Sequence, residues 1–312
     1  MNQEPMFECV PNFSEGVRPE VLRALHDAAE VPGVAVLGFD HDPDHNRAVL
    51  TLLGPADALA EAAFRTILTA VGCIDVREHQ GLHPRLGAAD VVPFVPWRGA
   101  DMAGAIALAR DLGERVGREL HVPVYLYGEA ASREDRRNLT NVRRGEFEGL
   151  ANRMAADPPD FGPPGPHPSA GAVAIGARPI LIAFNVYLTT DDVRVARAVA
   201  RAVRGSSGGL VGVKALAMDT RTRGRVQVSM NLTDYRNTSL PQALEMVRQE
   251  ARRFGVAVCE TELVGLMPFQ AAVDSLRYYL QMPEFAATRI IESAADLRDN
   301  SETSEVTAWN DN

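Results

Sequence analysis

The sequence predicts an α+β fold in which two βαββαβ units, each ferredoxin-like, pack against each other. Three observations indicate this fold. The apolar residues alternate between strand and helix periods in the same order in both halves, and a segment rich in proline and glycine lies between them at 157–171. Hydrophobic residues make up 46% of the 312, which is enough for a full core. Because ligand sites favour the boundary between packed subdomains, we expect a ligand cleft or tunnel there.

The first half is predicted to begin with one complete βαββαβ unit. Its strands are MFECVPNF, GVAVLGF, RAVLTLLG and CIDVRE, and its helices are RPEVLRALHDAAEV and residues 56–71. A strand at VVPFVP, a helix near 101–120, a strand at VPVYLYG and a helical stretch near 133–154 then extend this half.

The proline-rich segment DPPDFGPPGPHPSAG holds six prolines and three glycines in fifteen residues. Such a composition excludes a helix and a central strand, because proline removes a backbone donor and fixes φ. The segment is therefore either a linker or a structured loop in extended conformation. Its glycines, its backbone groups and His167 would also let a flat ligand approach closely.

The second half repeats the order of the first. Strands are predicted at RPILIAFNVYL, GLVGVKALAM, RVQVSMNL and VAVCETELV, with helices at TTDDVRVARAVARAV, at SLPQALEMVRQEARRFG and near 268–280. The middle helix opens with Ser239-x-x-Gln242, a capping-box pattern, and closes at Gly255. The polar tail at 296–312 lacks periodicity, and we expect it to be disordered.

Composition narrows the class of protein. The net charge of −9 and the pI of about 5.3 argue against nucleic acid or an anionic membrane as the main partner. The three cysteines lack zinc-site spacing, and there is neither a signal-peptide pattern nor an apolar run long enough for a membrane span. Glycine-rich nucleotide-binding motifs are absent as well. We therefore expect a cytoplasmic protein that binds small molecules and needs no nucleotide cofactor.

Four of the seven histidines fall in two segments, 40–47 and 79–85, each containing H-x-x-x-H. On a helix this spacing would place two imidazoles on one face for a metal, but Pro43, Gly81 and Pro84 prevent a helix. A metal could still gather ligands from both segments, which include three aspartates. The alternative is that these histidines are solvated or hydrogen-bonded loop residues.

His83 differs from the other histidines because a proline follows it and stiffens its backbone. Arg85 lies two residues later, on the same side if the segment is extended. A rigid imidazole beside a guanidinium would combine a proton shuttle with an anion anchor. Arg85 would equally serve as a surface salt-bridge partner.

Seven collinear blocks within residues 8–268 resemble the glutamate formimidoyltransferase domain family. They are ECVPNFSEG, HQGLHPRLGAADVVPFVP, VPVYLYGEAA, PDFGP, GARPILIAFNVYL, QVSMNLTDY and VGLMP. The resemblance implies two α/β subdomains, 1–178 and 179–295, in a homo-oligomer that we expect to be a dimer. It also implies transfer of the formimino group from N-formimino-L-glutamate to N5 of tetrahydrofolate, a step of histidine degradation. We expect no cyclodeaminase part, to which this domain is fused in animals.

The resemblance also assigns site residues. The family's catalytic histidine falls on His83 and its active-site aspartate on Asp40. Its folate-contacting stretch falls without gaps on Gly162, Pro163, Pro164, Gly165, Pro166, His167, Pro168, Ser169, Ala170 and Gly171. Tetrahydrofolate is then a co-substrate, and no metal is expected. Where the family motif has a glutamate before the histidine, this chain has Leu82.

These residues suit the chemistry of the transfer. One imidazole with a pKa of about 6.5 can take the proton from N5 and return it to the leaving nitrogen of glutamate. Asp40 could orient that imidazole, and Arg47 or Arg85 would suit a substrate carboxylate. Because Leu82 replaces the usual glutamate, two alternatives stay open: a non-catalytic relative that binds folate or another small ligand, and a transferase with a different donor. A metal-dependent hydrolase that uses both histidine segments is a further alternative.

Overall fold

A computed structural model describes residues 4–220 and 223–293 of the chain, which form a mixed α/β structure with two sheets. The strands are β1 (Met6–Cys9), β2 (Asn12–Phe13), β3 (Ala35–Asp42), β4 (Arg47–Pro55), β5 (Ala89–Pro96), β6 (Val124–Gly128), β7 (Val173–Ala177), β8 (Ile182–Leu188), β9 (Val213–Thr220), β10 (Arg225–Leu232) and β11 (Val258–Val264). The α-helices are α1 (Pro19–Ala29), α2 (Ala56–Cys73), α3 (Met102–Glu119), α4 (Leu139–Val142), α5 (Glu146–Met154), α6 (Val193–Val203), α7 (Leu240–Arg252) and α8 (Phe269–Tyr279).

In the first sheet β3 is at one edge and pairs with β4. Next to β4 come β1 and β2, which share one position, and then β5, β7 and β6. Strands β1 and β2 form one interrupted line that is antiparallel to both β4 and β5, whereas β5, β7 and β6 run parallel. Helices α1, α2 and α3 supply one apolar layer against this sheet, and α4 and α5 supply a smaller one. The first seven residues of β5 are all buried, as expected for a strand covered on both faces.

The second sheet is antiparallel throughout, in the order β11, β8, β10, β9. Alternate residues of β8, among them Phe184 and Val186, pack into the core formed with α6 and α7. The other residues of β8, among them Asn185 and Tyr187, lie on the opposite face because successive side chains of a strand alternate. Most side chains of β8 and β10 on that face are polar, and among the described residues α6 and α7 pack on the other face.

Most of the predicted elements are confirmed. The capping box of α7 is present, with the Ser239 side chain accepting from the Gln242 N–H and the Gln242 side chain accepting from the Ser239 N–H. The helical stretch near 133–154 consists of a short 3₁₀ turn followed by α4 and α5. The predicted tail at 296–312 lies outside the described residues. In the described part of the chain, no helix is both long enough and apolar enough to cross a membrane.

The strand predicted at CIDVRE is wrong. Cys73 still belongs to α2, and residues 76–78 form a turn instead. The cause is Asp75, whose carboxylate accepts hydrogen bonds from the Arg77 backbone N–H at 3.0 Å and from its guanidinium. Aspartate commonly closes a turn in this way. The strand that pairs beside β1 and β2 is β5.

The interpretation of 157–171 as a linker between subdomains is also wrong. A strand that the sequence analysis missed, β7, follows this segment and lies in the first sheet between β5 and β6. The segment is therefore a structured loop inside the first half, which we call the proline loop for its residues 157–171. The chain passes to the second sheet only after Ala177, since β8 begins at Ile182.

Glycines anchor the proline loop where it meets neighbouring backbone. Gly171 has φ +68°, and a Cβ there would lie 2.5 Å from the Leu86 carbonyl oxygen. Gly162 has φ +84°, and a Cβ there would lie 2.7 Å from the Val122 carbonyl oxygen. Only glycine combines this backbone conformation with such close approach.

We expect Gly171→Ala to lower the free energy of unfolding by about 1–3 kcal/mol, because alanine would be strained at positive φ and would clash with Leu86. Chemical denaturation of both proteins measures the difference. Gly165→Ala is the matched control: it lies in the same loop, without positive φ and with open space around a Cβ. Equal destabilisation by the two variants would contradict this account of the loop.

Candidate active site

The proline loop packs against the segment that carries His83. The Ala88 N–H donates to the Ala170 carbonyl at 3.0 Å, and the Val76 N–H donates to the Ser169 carbonyl at 2.8 Å. The end of the loop that the family resemblance assigned to folate therefore lies beside the chain that follows His83.

His167 stabilises the turn inside this loop. Its Nδ1 accepts a hydrogen bond from the Ala170 N–H at 3.0 Å, and its backbone exchanges two hydrogen bonds with Gly171. Because Nδ1 accepts, the proton of the neutral ring is on Nε2. Burial lowers the pKa of His167, with a smaller contribution from His121. The neutral form that this loop geometry requires is therefore favoured.

Arg136 holds the beginning of the proline loop. It is almost fully buried and donates to the Asp160 carboxylate at 2.8 Å and to the Pro158 carbonyl at 2.6 Å. The same Asp160 carboxylate accepts from the Leu126 N–H of β6 at 2.7 Å. These contacts tie the beginning of the loop to β6 of the first sheet.

A fully buried carboxylate, Asp90, organises the other side of the site. Its Oδ1 accepts from the Leu86 N–H at 2.7 Å, and its Oδ2 accepts from Arg47 at 2.8 Å and from Arg143. Arg47 also donates to Asn12 Oδ1, from Nη2 at 2.8 Å. Burial alone would raise the pKa of Asp90, but the two arginines outweigh it and hold that pKa well below its usual range.

His83 lies beside this network. Its Nδ1 is 2.8 Å from the Pro84 carbonyl oxygen, and since a carbonyl only accepts, Nδ1 must donate. The Nε2 of the neutral ring is then left as an acceptor. Burial, followed by the positive charges of Arg47 and Arg143, lowers the pKa of His83 well below its ordinary value, and Asp90 opposes this shift only in part. The neutral form of His83, with Nε2 as an acceptor, is therefore favoured.

The two histidine segments meet in the structure. The rings of His45 and His83 are 6.3 Å apart between centroids, and His45 Nδ1 lies 3.0 Å from the Asp42 carboxylate. His79 Nε2 lies 2.9 Å from the Asn46 carbonyl oxygen. Among the described residues, no group of three or more histidine, cysteine, aspartate or glutamate side chains has an arrangement that could hold a metal ion.

Two other residues selected from the sequence have different partners. Asp40 accepts a hydrogen bond at 3.1 Å from the N–H of Gly265, in the second half of the chain. Arg85 donates to the Glu148 carboxylate at 2.7 Å and to the Val76 carbonyl at 3.1 Å. The arginines whose charges act on His83 are thus Arg47 and Arg143, and the carboxylate that does so is Asp90.

Asp90, Arg143 and Asn12 were not selected from the sequence. Asn12 and Asp90 stand within the quoted blocks ECVPNFSEG and HQGLHPRLGAADVVPFVP, so a polar residue inside an apolar strand was the available signal. Arg143 had no such signal, because it lies in an arginine-rich helical stretch where a solvated role is the usual one.

Comparison with known proteins identifies the family of this chain. Residues 6–178 match the formiminotransferase domain, N-terminal subdomain, and residues 183–296 match the formiminotransferase domain. A Thermoplasma acidophilum protein named glutamate formimidoyltransferase is 45% identical over 302 residues, covering 95% of this chain and 99% of that protein. A Streptococcus pyogenes protein of the same name is 42% identical over 281 residues, covering 89% and 94%.

A longer relative matches over part of its length. The formimidoyltransferase-cyclodeaminase of Rattus norvegicus is 40% identical over 282 residues, which are 88% of this chain and 52% of that protein. The two family matches together span nearly all of the described residues. The names of the relatives belong to the same family. The chain therefore belongs to the formiminotransferase family.

Proposed function

We propose that this enzyme transfers the formimino group from N-formimino-L-glutamate to N5 of tetrahydrofolate, with His83 as the general acid and base. The observation that carries the proposal is the state of His83, whose Nδ1 is held by a backbone carbonyl and whose lowered pKa leaves Nε2 free to accept a proton. Membership of the formiminotransferase family and the names of its relatives support the substrates.

In the proposed reaction, N5 of tetrahydrofolate attacks the amidine carbon and a carbon–nitrogen bond forms. His83 Nε2 takes the proton that N5 loses, which leaves a tetrahedral intermediate. The bond between that carbon and the glutamate nitrogen then breaks, and the imidazolium returns its proton to the leaving nitrogen. The products are 5-formiminotetrahydrofolate and glutamate, and the histidine ends in its starting state.

Charged residues around His83 complete the proposal. Arg47 anchors a substrate carboxylate, supported by its burial beside His83 and by a pKa that burial lowers only to about 10, so that it stays charged. Arg85 has weaker support for the same role, since Glu148 already binds it. Asp40 keeps the proposed role of stabilising the imidazolium form of His83. In the structure it accepts a hydrogen bond from the Gly265 N–H, and the Pro84 carbonyl orients the ring.

Tetrahydrofolate is the proposed co-substrate, and residues 162–171 of the proline loop are its binding segment. The support is that glycines place loop backbone against the His83 segment and that prolines stiffen the loop before any ligand arrives. In the proposal, neither a metal nor a nucleotide takes part in the transfer.

We further propose that the two halves, 1–178 and 179–295, are ferredoxin-like subdomains with a ligand cleft or tunnel between them. Strand orders β5, β1 with β2, β4, β3 and β11, β8, β10, β9 support the topology. The polar face of the second sheet and the hydrogen bond between Asp40 and Gly265 support the cleft. A cytoplasmic homodimer fits the family resemblance and the three free cysteines.

The alternatives based on Leu82 have less support. Leu82 is 36% exposed, and its N–H donates to the Asp44 carbonyl at 3.0 Å. The orientation of His83 comes from the Pro84 carbonyl, so the imidazole does not require a carboxylate at position 82. A transferase that acts through His83 is therefore favoured over a relative that binds folate without turnover or takes a different donor.

We expect His83→Ala to reduce kcat by about 100- to 10,000-fold, because general acid–base catalysis contributes that much. Purified protein is incubated with formiminoglutamate and tetrahydrofolate, and product is followed by absorbance. His26→Ala, an exposed histidine on α1, is the control and should retain full activity. Turnover that survives His83→Ala would refute the assignment, and loss of turnover after chelator treatment would favour the metal-dependent alternative.

We expect Arg143→Gln to raise the pKa of His83, because it removes one of the two positive charges that lower it. Activity requires neutral His83, so it is lost as the pH falls through this pKa. In the wild-type protein the loss should occur well below about pH 6.5, and in the variant it should occur at higher pH.

An NMR titration of the His83 ring and the pH profile of kcat/KM measure this shift. Arg144→Gln is the matched control, because this exposed neighbour bonds to Asn141 and does not contact Asp90. Identical profiles for wild type and Arg143→Gln would show that Arg143 does not set the pKa of His83.

A further inference from the structure

The chain has 32 lysine and arginine residues in total. Lys214 is the only lysine, and the other 31 are arginines. It lies on β9, opposite Asn231 of β10, on the face of the second sheet away from α6 and α7. Its Nζ donates at 2.9 Å to the Asn138 side-chain oxygen of the first half. Lys214 therefore reaches across the boundary between the halves.

The ammonium group of Lys214 enters a region that already has excess positive charge. Lys214 keeps an exposed surface, but partial burial of its ammonium group, followed by the charge of Arg143, lowers its pKa. In residues 4–220 and 223–293 no carboxylate lies within ion-pair distance of it, and its acceptor is the neutral Asn138 amide. Arg47 and Arg143 share the single carboxylate of Asp90, which leaves one positive charge in excess, and Lys214 adds a second positive charge close to Arg143.

Arg143 also has unused hydrogen-bonding capacity. Its guanidinium donates to Asp90 through Nη2, while its Nε is buried and has no hydrogen-bond partner among the described residues. Buried donors usually have partners, and clustered cations repel each other unless an anion separates them. The region is thus built for an anion, and two excess charges match a ligand with two carboxylates.

We propose that Lys214 binds one carboxylate of a glutamyl group and that Arg143, together with Arg47 on the same Asp90, binds the other, so that the second half of the chain supplies an anchor for the substrate. This inference rests on the proposed function for the identity of the substrate. The glutamyl group occurs in both substrates: in formiminoglutamate and at the end of tetrahydrofolate. The experiments below separate these two sources.

The position of Arg143 favours the donor. Arg143 ends the short helix α4, whose N-cap Asn138 accepts the hydrogen bond from Lys214, and its charge also acts on His83. Lys214 and His83 therefore lie on either side of Arg143. In formiminoglutamate the carboxylates are only a few bonds from the amidine carbon that must meet the catalytic base. In tetrahydrofolate the aminobenzoyl group separates the glutamyl carboxylates from N5. A glutamyl anchor beside His83 therefore suits the donor.

The single lysine allows a direct test by chemical labelling. The full chain is treated with an amine-reactive succinimidyl ester, and mass spectrometry follows Lys214 together with the N-terminal amine as an internal control. We expect L-glutamate and formiminoglutamate to slow labelling of Lys214 at least fivefold without affecting the N-terminus. L-glutamine, which lacks the second carboxylate, should protect far less. Absence of protection by both dicarboxylates would overturn the proposal.

Variants of Lys214 identify the source of the glutamyl group. We expect Lys214→Met to raise KM for formiminoglutamate at least tenfold and to leave KM for tetrahydrofolate within twofold, while Lys214→Arg restores much of the affinity. An increase confined to tetrahydrofolate would overturn the assignment to the donor, and unchanged constants would overturn the anchor. Protection of Lys214 without any formimino transfer would refute the proposed function and leave the dicarboxylate site intact.

Discussion

The geometry of the candidate site depends on the hydrogen bonds and ion pairs of one buried carboxylate, Asp90. A charge with no exposure to water is tolerated only when hydrogen bonds and opposite charges replace its hydration. Asp90 meets this need with the Leu86 N–H, Arg47 on β4 and Arg143 at the end of α4. One carboxylate thereby joins a sheet strand, a helix and the turn that follows His83.

This network favours the neutral state of His83, the proposed catalytic histidine. The guanidinium groups that neutralise Asp90 also act on His83, and together with burial they keep its imidazole uncharged. The Pro84 carbonyl selects the tautomer. The proposed role requires a base that is deprotonated and that presents the correct nitrogen. Electrostatics favours the first condition, and backbone geometry provides the second.

The proline loop contributes rigidity. Its prolines restrict the unfolded chain, and its glycines permit close contact between its backbone and the segment 86–88. Arg136 and Asp160 fix its beginning, and His167 fixes its final turn. If the loop binds folate as proposed, its existing order reduces the entropy lost when the ligand binds. The segment has the composition of a linker, but it belongs to the first half of the molecule because β7, the strand that follows it, lies in the first sheet.

The sequence by itself determined what depends on neighbours along the chain. Apolar periodicity predicted most helices and strands, Ser239 and Gln242 predicted the cap of α7, and the proline after His83 singled out that histidine. The collinear blocks predicted the family. Local patterns failed at CIDVRE, where the Asp75 side chain closes a turn, and at β7, which follows a segment that resembles a linker.

Only the tertiary structure decided the partners of the charged residues. Arg47 and Arg143 meet Asp90 across 43 and 53 residues of sequence, and Lys214 approaches Asn138 across 76. The pKa of His83 and the excess positive charge near Lys214 follow from those meetings. Electrostatic interactions depend on distance in space and on burial, and a periodic pattern along the chain encodes neither.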